Sequence, residues 1–266
     1  MANSINGLDR EYIFFMWPGD DQIPMDRVAE IISILSNSRC AGVFVDHRNY
    51  HKWELPEAPF HPALPYLSQT NKSDYLRIYL MHHYGGGYTD VKFTYKPWDQ
   101  AFETLRNSEA MALGYPISSA SQVAMNPNFD NTAELALYKE HYHRFIGHVA
   151  FIFKPQTPLT QRLYDRSHAL LDEKFEQLKR HPARHPKDAV GKVLPDGSVS
   201  EYPLHYVELG PDIFTQCTFE YRDYIIQFDL EPLHVFHYDL QIEGFGKSKS
   251  DFIKYHLPTF PYDKAS

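Results

Sequence analysis

Apolar residues run without a break from Tyr12 to Trp17 (YIFFMW), and the run stops at PGDD. A short apolar run closed by turn residues reads as a strand buried in a parallel sheet. The period then changes. Over Arg27–Ser38, Val28, Ile31, Ile32 and Leu35 fall on one stripe, which predicts a short helix with that stripe inward. Gly42–Asp46 (GVFVD) repeats the buried-strand pattern. Strand, helix and strand at this spacing form a βαβ opening and predict an α/β fold.

A proline-rich passage, Pro56–Pro65, leads to a second helix with Asn71 as expected N-cap and Leu76, Tyr79, Leu80 and His83 on one stripe. Gly85–Gly87 stops it, as glycine does at a helix C-terminus. Tyr88–Tyr95 then alternates, predicting a strand with Asp90, Lys92 and Thr94 on one face and Val91, Phe93 and Tyr95 on the other. Gly147–Phe153 (GHVAFIF) is a further buried strand. Pro158–Arg180 predicts a long amphipathic helix capped by Thr157, with Leu159, Leu163, Leu170, Leu171, Phe175 and Leu178 inward and its end before His181-Pro182. Val193–Val199 reads as a hairpin turn around Pro195-Asp196-Gly197, and Tyr224–Tyr238 as strand-rich. Ser118–Asn131 and Gly244–Ser250 read as loops. No internal repeat or boundary divides the 266 residues, so a single domain is expected.

With 43% hydrophobic and 15% aromatic residues the chain can bury a core. A formal charge of −8 removes electrostatic support for a nucleic-acid role. The modest cationic cluster between Lys179 and Lys187 reads as a solvated linker. Cys40 and Cys217 stand far apart and outside any CxxC pair, against a disulfide framework or zinc-thiolate site. The start, MANSINGLDREY, has no apolar signal core, and Tyr12–Trp17 is too short to cross a bilayer. A soluble, cytoplasmic protein, at most peripheral to a membrane, is therefore expected.

The chemistry concentrates in KSDYLRIYLMHHYGGGYTDVKF, Lys72–Phe93. Asp74 and Arg77, three apart near a helix start, share a face. The glycines allow a ligand to approach backbone, and Asp90 stands where a strand disfavours aspartate. A carboxylate, a guanidinium and a second carboxylate suit a polyhydroxylated, phosphorylated ligand. Each residue also has an ordinary reading: Asp74 as part of a capping box on Asn71, Arg77 as a surface ion pair, the glycines as a helix stop. His82 and His83, being adjacent, face different ways and do not make a metal pair.

The order K-S-D-x-x-R, then G-G-x-Y-x-D, resembles the core of DXD-motif glycosyltransferases of the GT-A fold and the sugar-binding-region family. These include yeast initiating mannosyltransferases, capsular polysaccharide transferases and the glucosylating domains of clostridial toxins. FFMWPGDDQIP, the Gly147–Pro158 stretch, LGPDIFT and HVFHYD resemble further family elements in the same order, so the likeness runs from about Tyr12 to Tyr238. It implies a GT-A-like, Rossmann-type mixed sheet flanked by helices, with a donor-binding half near 10–115 and an acceptor-side half near 116–266. It also implies a nucleotide-sugar donor, a glycan-type acceptor hydroxyl and transfer with retention of configuration. Trp17, Asp74, Arg77, Gly86, Gly87, Tyr88, Asp90 and Lys92 would then bind the donor. Gly210, Pro211 and His237 would lie on the acceptor side or by the diphosphate. No catalytic nucleophile is assigned.

One departure matters. Where the family carries its second aspartate, a ligand of Mn²⁺ or Mg²⁺, this chain has Lys92. Either Lys92 takes the metal's place against the leaving diphosphate, or it swings away while Asp90 and His237 hold a cation. The same departure supports a different class of function, an inactive nucleotide-sugar or carbohydrate binder. A metal phosphoesterase lacks any HxH or DxH pair near that strand.

Overall fold

The protein is described from a computed structural model over residues 11–20, 23–123, 125, 132–230 and 232. Tyr12–Trp17 forms β1 and Ala41–Asp46 forms β2, paired in parallel from Tyr12 opposite Ala41 to Trp17 opposite Asp46. The intervening helix α1, Met25–Asn37, completes the βαβ opening. Gly86–Thr89 is β3, parallel to β1 on its other side. Ala112–Pro116 is β4, Ile146–Phe153 is β5 and Ile225–Gln227 is β6. β5 runs antiparallel between β3 and β4, and β6 lies parallel to β4. The resulting mixed sheet has the order β2-β1-β3-β5-β4-β6, and helices flank it. The α/β class expected from the alternating elements is thus present.

Side chains alternate across the sheet and divide the core in two. Phe14, Met16, Tyr88, Phe151 and Phe153 pack on one face with α2 (Gln69–His83), α5 (Pro158–Arg180) and α6 (Ile213–Glu220). Ile13, Leu113, Ala150 and Ile152 pack on the other with Trp98 and with α3, Asp99–Arg106. A helix α4 spans Thr132–Glu140.

Three predicted details are corrected by packing. The cap of α2 is Ser68, whose side chain accepts from the Asn71 N–H, while Asn71 is fully buried inside the first turn. Its carboxamide oxygen accepts hydroxyl donors from Ser68 and Tyr202 at 3.0 Å each, a long-range contact with no local signature.

The second correction concerns Tyr88–Tyr95. The strand ends at Thr89, and residues 91–94 leave the sheet. Their backbone still needs partners. These come from α1: Arg27 donates to the Val91 carbonyl at 3.0 Å, the Thr94 N–H donates to Ser33 Oγ at 2.9 Å, and Asn37 donates to the Thr94 carbonyl at 2.8 Å.

This also explains the third correction. α1 buries Arg27, Glu30 and Ser33 beside Ile34, while Ile32 and Leu35 of the predicted inward stripe are 56% and 50% exposed. The polar face is turned inward because the polypeptide it covers has no strand neighbour. The turn around Gly197, bridged Val193 to Val199, and the full extent of α5 match expectation. Of Tyr224–Tyr238 only β6 is seen as strand, and residues beyond 232, with the Gly244–Ser250 loop, lie outside the described residues.

Candidate active site

A cleft of about 220 Å³ opens where β1 and β3 end and β5 begins, walled by α2 and by residues 186–187, 206 and 211. Ligands in open α/β sheets bind outside the carboxyl ends of parallel strands, and this cleft obeys that rule. Trp17 closes β1 at its rim, with the indole Nε1 buried and lacking a hydrogen-bond partner among the described residues.

The glycines at the start of β3 have mainly structural work. Tyr84 and Gly85 both return their N–H groups to the Leu80 carbonyl, closing α2 with Gly85 at φ 68°. The left-handed backbone continues at Gly86, where a Cβ would also meet the Tyr12 ring at 2.5 Å. At Gly87 a Cβ would meet Trp98 and Ile13. Gly86 and Gly87, expected at the donor, are therefore packing positions that send the chain into β3, and neither is among the residues lining the cleft.

Asp74 and Arg77 face each other from successive turns of α2 and form a buried ion pair. Arg77 also donates to the His148 carbonyl at 2.9 Å, lies 3.8 Å from Asp90 Oδ1, and sits 5.0 Å above the Tyr88 ring. The Tyr88 hydroxyl donates to Asp90 Oδ1 at 2.9 Å. Burial, followed by the Asp90 charge, pushes the Tyr88 phenol above its ordinary range, so it remains a donor. Asp90 just beyond β3 keeps its own N–H in the sheet through the Val149 carbonyl at 2.8 Å. The guanidinium is thus fixed from three sides before any ligand arrives.

Two features mark the Asp74 carboxylate, which lines the cleft. Asp74 Oδ2 is buried with no hydrogen-bond partner among the described residues. Behind it, a single π-helical turn, Glu208–Asp212, brings Gly210 so close that a Cβ there would stand 2.3 Å from the Asp74 carboxyl carbon. Gly210 therefore shapes the site from behind, and its neighbour Pro211 lines the cleft.

The lining of the cleft also carries Arg27, Lys92 and Lys187. Lys92 is 5% exposed, and Arg27 pairs with Glu30 beneath it. Burial, opposed by Asp90 and Glu30 and reinforced by Arg27, brings the Lys92 ammonium down to about 8. Lys187, read from sequence as part of a solvated linker, is half-buried and lines the same cleft. Sequence reasoning missed Arg27, Lys187 and Tyr206. Arg27 was hidden by the apolar stripe of its helix, and Lys187 lies about 95 residues beyond Lys92 with no motif around it.

PaToxG Glycosyltransferase is one solved structure to which the chain is similar. They share 13% identity over 89% of this chain and 78% of that one, at a TM-score of 0.41. No family model matches the chain, and no curated protein matches it. A superposition this loose leaves the chemistry of the cleft to its own residues.

The described residues of the cleft do not by themselves make up a divalent-cation site. Mn²⁺ or Mg²⁺ needs several oxygen ligands, largely carboxylates. Among the described residues no three His, Cys, Asp or Glu side chains converge as a cation would require, and Asp90 is faced by Lys92 and Lys187. His237, the other ligand expected from the resemblance, lies outside the described residues. No helix among the described residues is long and apolar enough to cross a membrane.

Proposed function

We propose that the chain is a glycosyltransferase moving a sugar from a nucleoside-diphosphate sugar to an acceptor hydroxyl on a glycan or polysaccharide. The observation that carries this reading is the division of one cleft into two chemistries. One wall offers Asp74, Arg77 and Asp90, with an unsatisfied buried carboxylate oxygen suited to a sugar hydroxyl. The same lining also offers the ammonium groups of Lys92 and Lys187, suited to a diphosphate. A nucleotide sugar presents both faces within one molecule.

In this reading Asp74 accepts from donor-sugar hydroxyls, Arg77 holds the sugar through its fixed guanidinium, and Asp90 bridges sugar and ribose. Trp17 at the rim lies beside the base. The bond from the anomeric carbon to the diphosphate oxygen breaks with its electron pair on the leaving oxygen. The acceptor oxygen bonds to the anomeric carbon, and its proton passes to the departing diphosphate. Lys92 stabilises the charge developing there, as a preorganised cation does when it need not reorganise during reaction. Retention is the stereochemical outcome implied by the resemblance.

The test is slow donor hydrolysis and thermal stabilisation across UDP-, GDP- and dTDP-sugars, in EDTA and with Mn²⁺ or Mg²⁺. We expect one donor to be stabilising and hydrolysed, with the rate falling about 100-fold or more in Asp90→Asn. Stabilisation without hydrolysis would instead establish an inactive nucleotide-sugar binder, the reading that Lys92 in place of a carboxylate also favours. No stabilisation by any nucleotide sugar would sink both.

A further inference from the structure

The geometry points to Lys187 as a second diphosphate-binding cation, acting with Lys92 in the same cleft to do electrostatically what a metal ion would do. This rests on the donor reading above but assigns a residue that neither the motif nor the resemblance contains.

The backbone around Lys187 is held in place. The preceding Pro186 carbonyl accepts from the Thr70 N–H at 3.1 Å, tying this segment to the first turn of α2. The Lys187 N–H donates to His185 Nδ1 at 3.1 Å, and its carbonyl accepts from Lys192 Nζ at 2.6 Å. Asp188 next to it is 1% exposed and accepts from the backbone N–H groups of Arg184 and Ala189. These bonds keep the short stretch from swinging out.

The side chain is in the opposite condition. The Lys187 ammonium forms no hydrogen bond and no ion pair among the described residues, although the residue is half-buried and lines the cleft. Withdrawal from water and the charges of Lys192, Arg27 and Lys92 all disfavour its protonated form, and Asp90 only partly compensates. A lysine held in that position without a counterion costs stability, and a flexible side chain free to do so would turn to solvent.

The charges around the cleft indicate what would relieve that cost. Arg77 is matched by Asp74 and Arg27 by Glu30. Lys92 feels both Asp90 and Glu30, whereas Lys187 has Asp90 as its one favourable charge against three cations, in a chain whose overall formal charge is −8. A multiply charged anion, small enough for a cleft of about 220 Å³, completes the arrangement. A diphosphate has that charge and presents oxygens on both sides, so each ammonium can donate to it.

The test uses the full chain, with inorganic pyrophosphate and inorganic phosphate as probes, by titration calorimetry in EDTA. Pyrophosphate should bind without metal, and Lys187→Met should weaken it about tenfold or more, the scale of one lost hydrogen bond to a charged group. Lys187→Arg should bind within about threefold of the parent because the charge and donors remain. Phosphate, with less charge and fewer oxygens to share between two ammoniums, should lose less than pyrophosphate in Lys187→Met. Melting temperatures of both variants guard against a folding defect, and the arginine variant keeps the question answerable if the methionine variant unfolds. Pyrophosphate affinity in folded Lys187→Met equal to the parent would overturn the assignment, as would the absence of pyrophosphate binding to the parent. If a donor is turned over but Lys187→Met binds pyrophosphate normally, this inference fails while the transferase reading stands. Lysine-dependent pyrophosphate binding without turnover of any donor would uphold the assignment of Lys187 and remove the transferase reading.

Discussion

Asp74 and Arg77 illustrate how a buried ion pair can be costly to break without being a source of stability. Both are nearly inaccessible, at 3% and 7% exposure. Removing Asp74 alone would strand Arg77 as a buried charge with Asp90, part-exposed, as its remaining ionic neighbour. We expect Asp74→Ala to lower unfolding free energy by about 3–5 kcal/mol in urea titration, and the double variant Asp74→Leu/Arg77→Met to lose less than the sum of the single changes. Gly210→Ala pushes a methyl group into the Asp74 carboxyl group and should cost about 1–3 kcal/mol while also weakening donor binding. Asp74, Arg77 and Asp90 were legible in the sequence through the order K-S-D-x-x-R, then G-G-x-Y-x-D, and Asp90 also because a strand disfavours aspartate. Lys187 was not legible, since its neighbours in the cleft come from distant parts of the chain.

Among the elements, α2 and α5 meet along a seam of histidines and tyrosines. His82 stacks on Tyr164 at 4.8 Å, His168 lies 4.1 Å from the same ring, and His83 lies 4.3 Å from Tyr79. Burial, then repulsion from neighbouring imidazoles, lowers His83 from an ordinary 6.5 to about 4, and His168 likewise to about 4. Because the folded pKa values are the lower ones, the unfolded chain takes up more protons between them and 6.5. Stability conferred by the neutral seam should be complete above about pH 6.5 and decline as pH falls toward 4. Urea midpoints measured at about pH 7.5 and pH 5 should therefore differ, and His83→Leu should reduce the difference. An unchanged midpoint would show that the seam is hydrated. α5 itself should lose about 1 kcal/mol in Thr157→Ala, which removes the acceptor for the Thr160 N–H.

The contrast between α5 and the segment after β3 shows which features of an element a sequence records. For α5 the cap, the proline, the apolar stripe and the stop all lie within the element, and its predicted bounds agree with the structure. Whether Val91–Thr94 continues a strand depends instead on a neighbour offering a ladder. The neighbour is α1, which satisfies those backbone groups with side chains and leaves Ile32 and Leu35 of its apolar stripe exposed.

At the scale of the whole molecule, the α/β class followed from the βαβ opening and the mixed sheet from the resemblance, while strand order did not follow, because β5 inserts antiparallel between β3 and β4. The cleft residues span Met16 to Pro211. A bound donor should therefore stabilise the molecule as a unit: at about 100 times its dissociation constant, ligand should raise global stability by about 2.7 kcal/mol. Hydrogen exchange should then slow in β1, β3 and β5 together, and protection confined to the 186–187 segment would contradict this.

The bond from Thr70 to the Pro186 carbonyl has a consequence for the chain during its synthesis. The helix carrying Asp74 and Arg77 emerges from the ribosome more than 100 residues ahead of the segment that completes its first turn and the glycine that seats its carboxylate. Until that later segment appears, the earliest-made half of the pocket carries buried-type charges with nothing to bury them. A nascent chain stalled before residue 186 should thus be unable to hold a nucleotide, and ligand capture by ribosome-bound chains would time the closing of the fold.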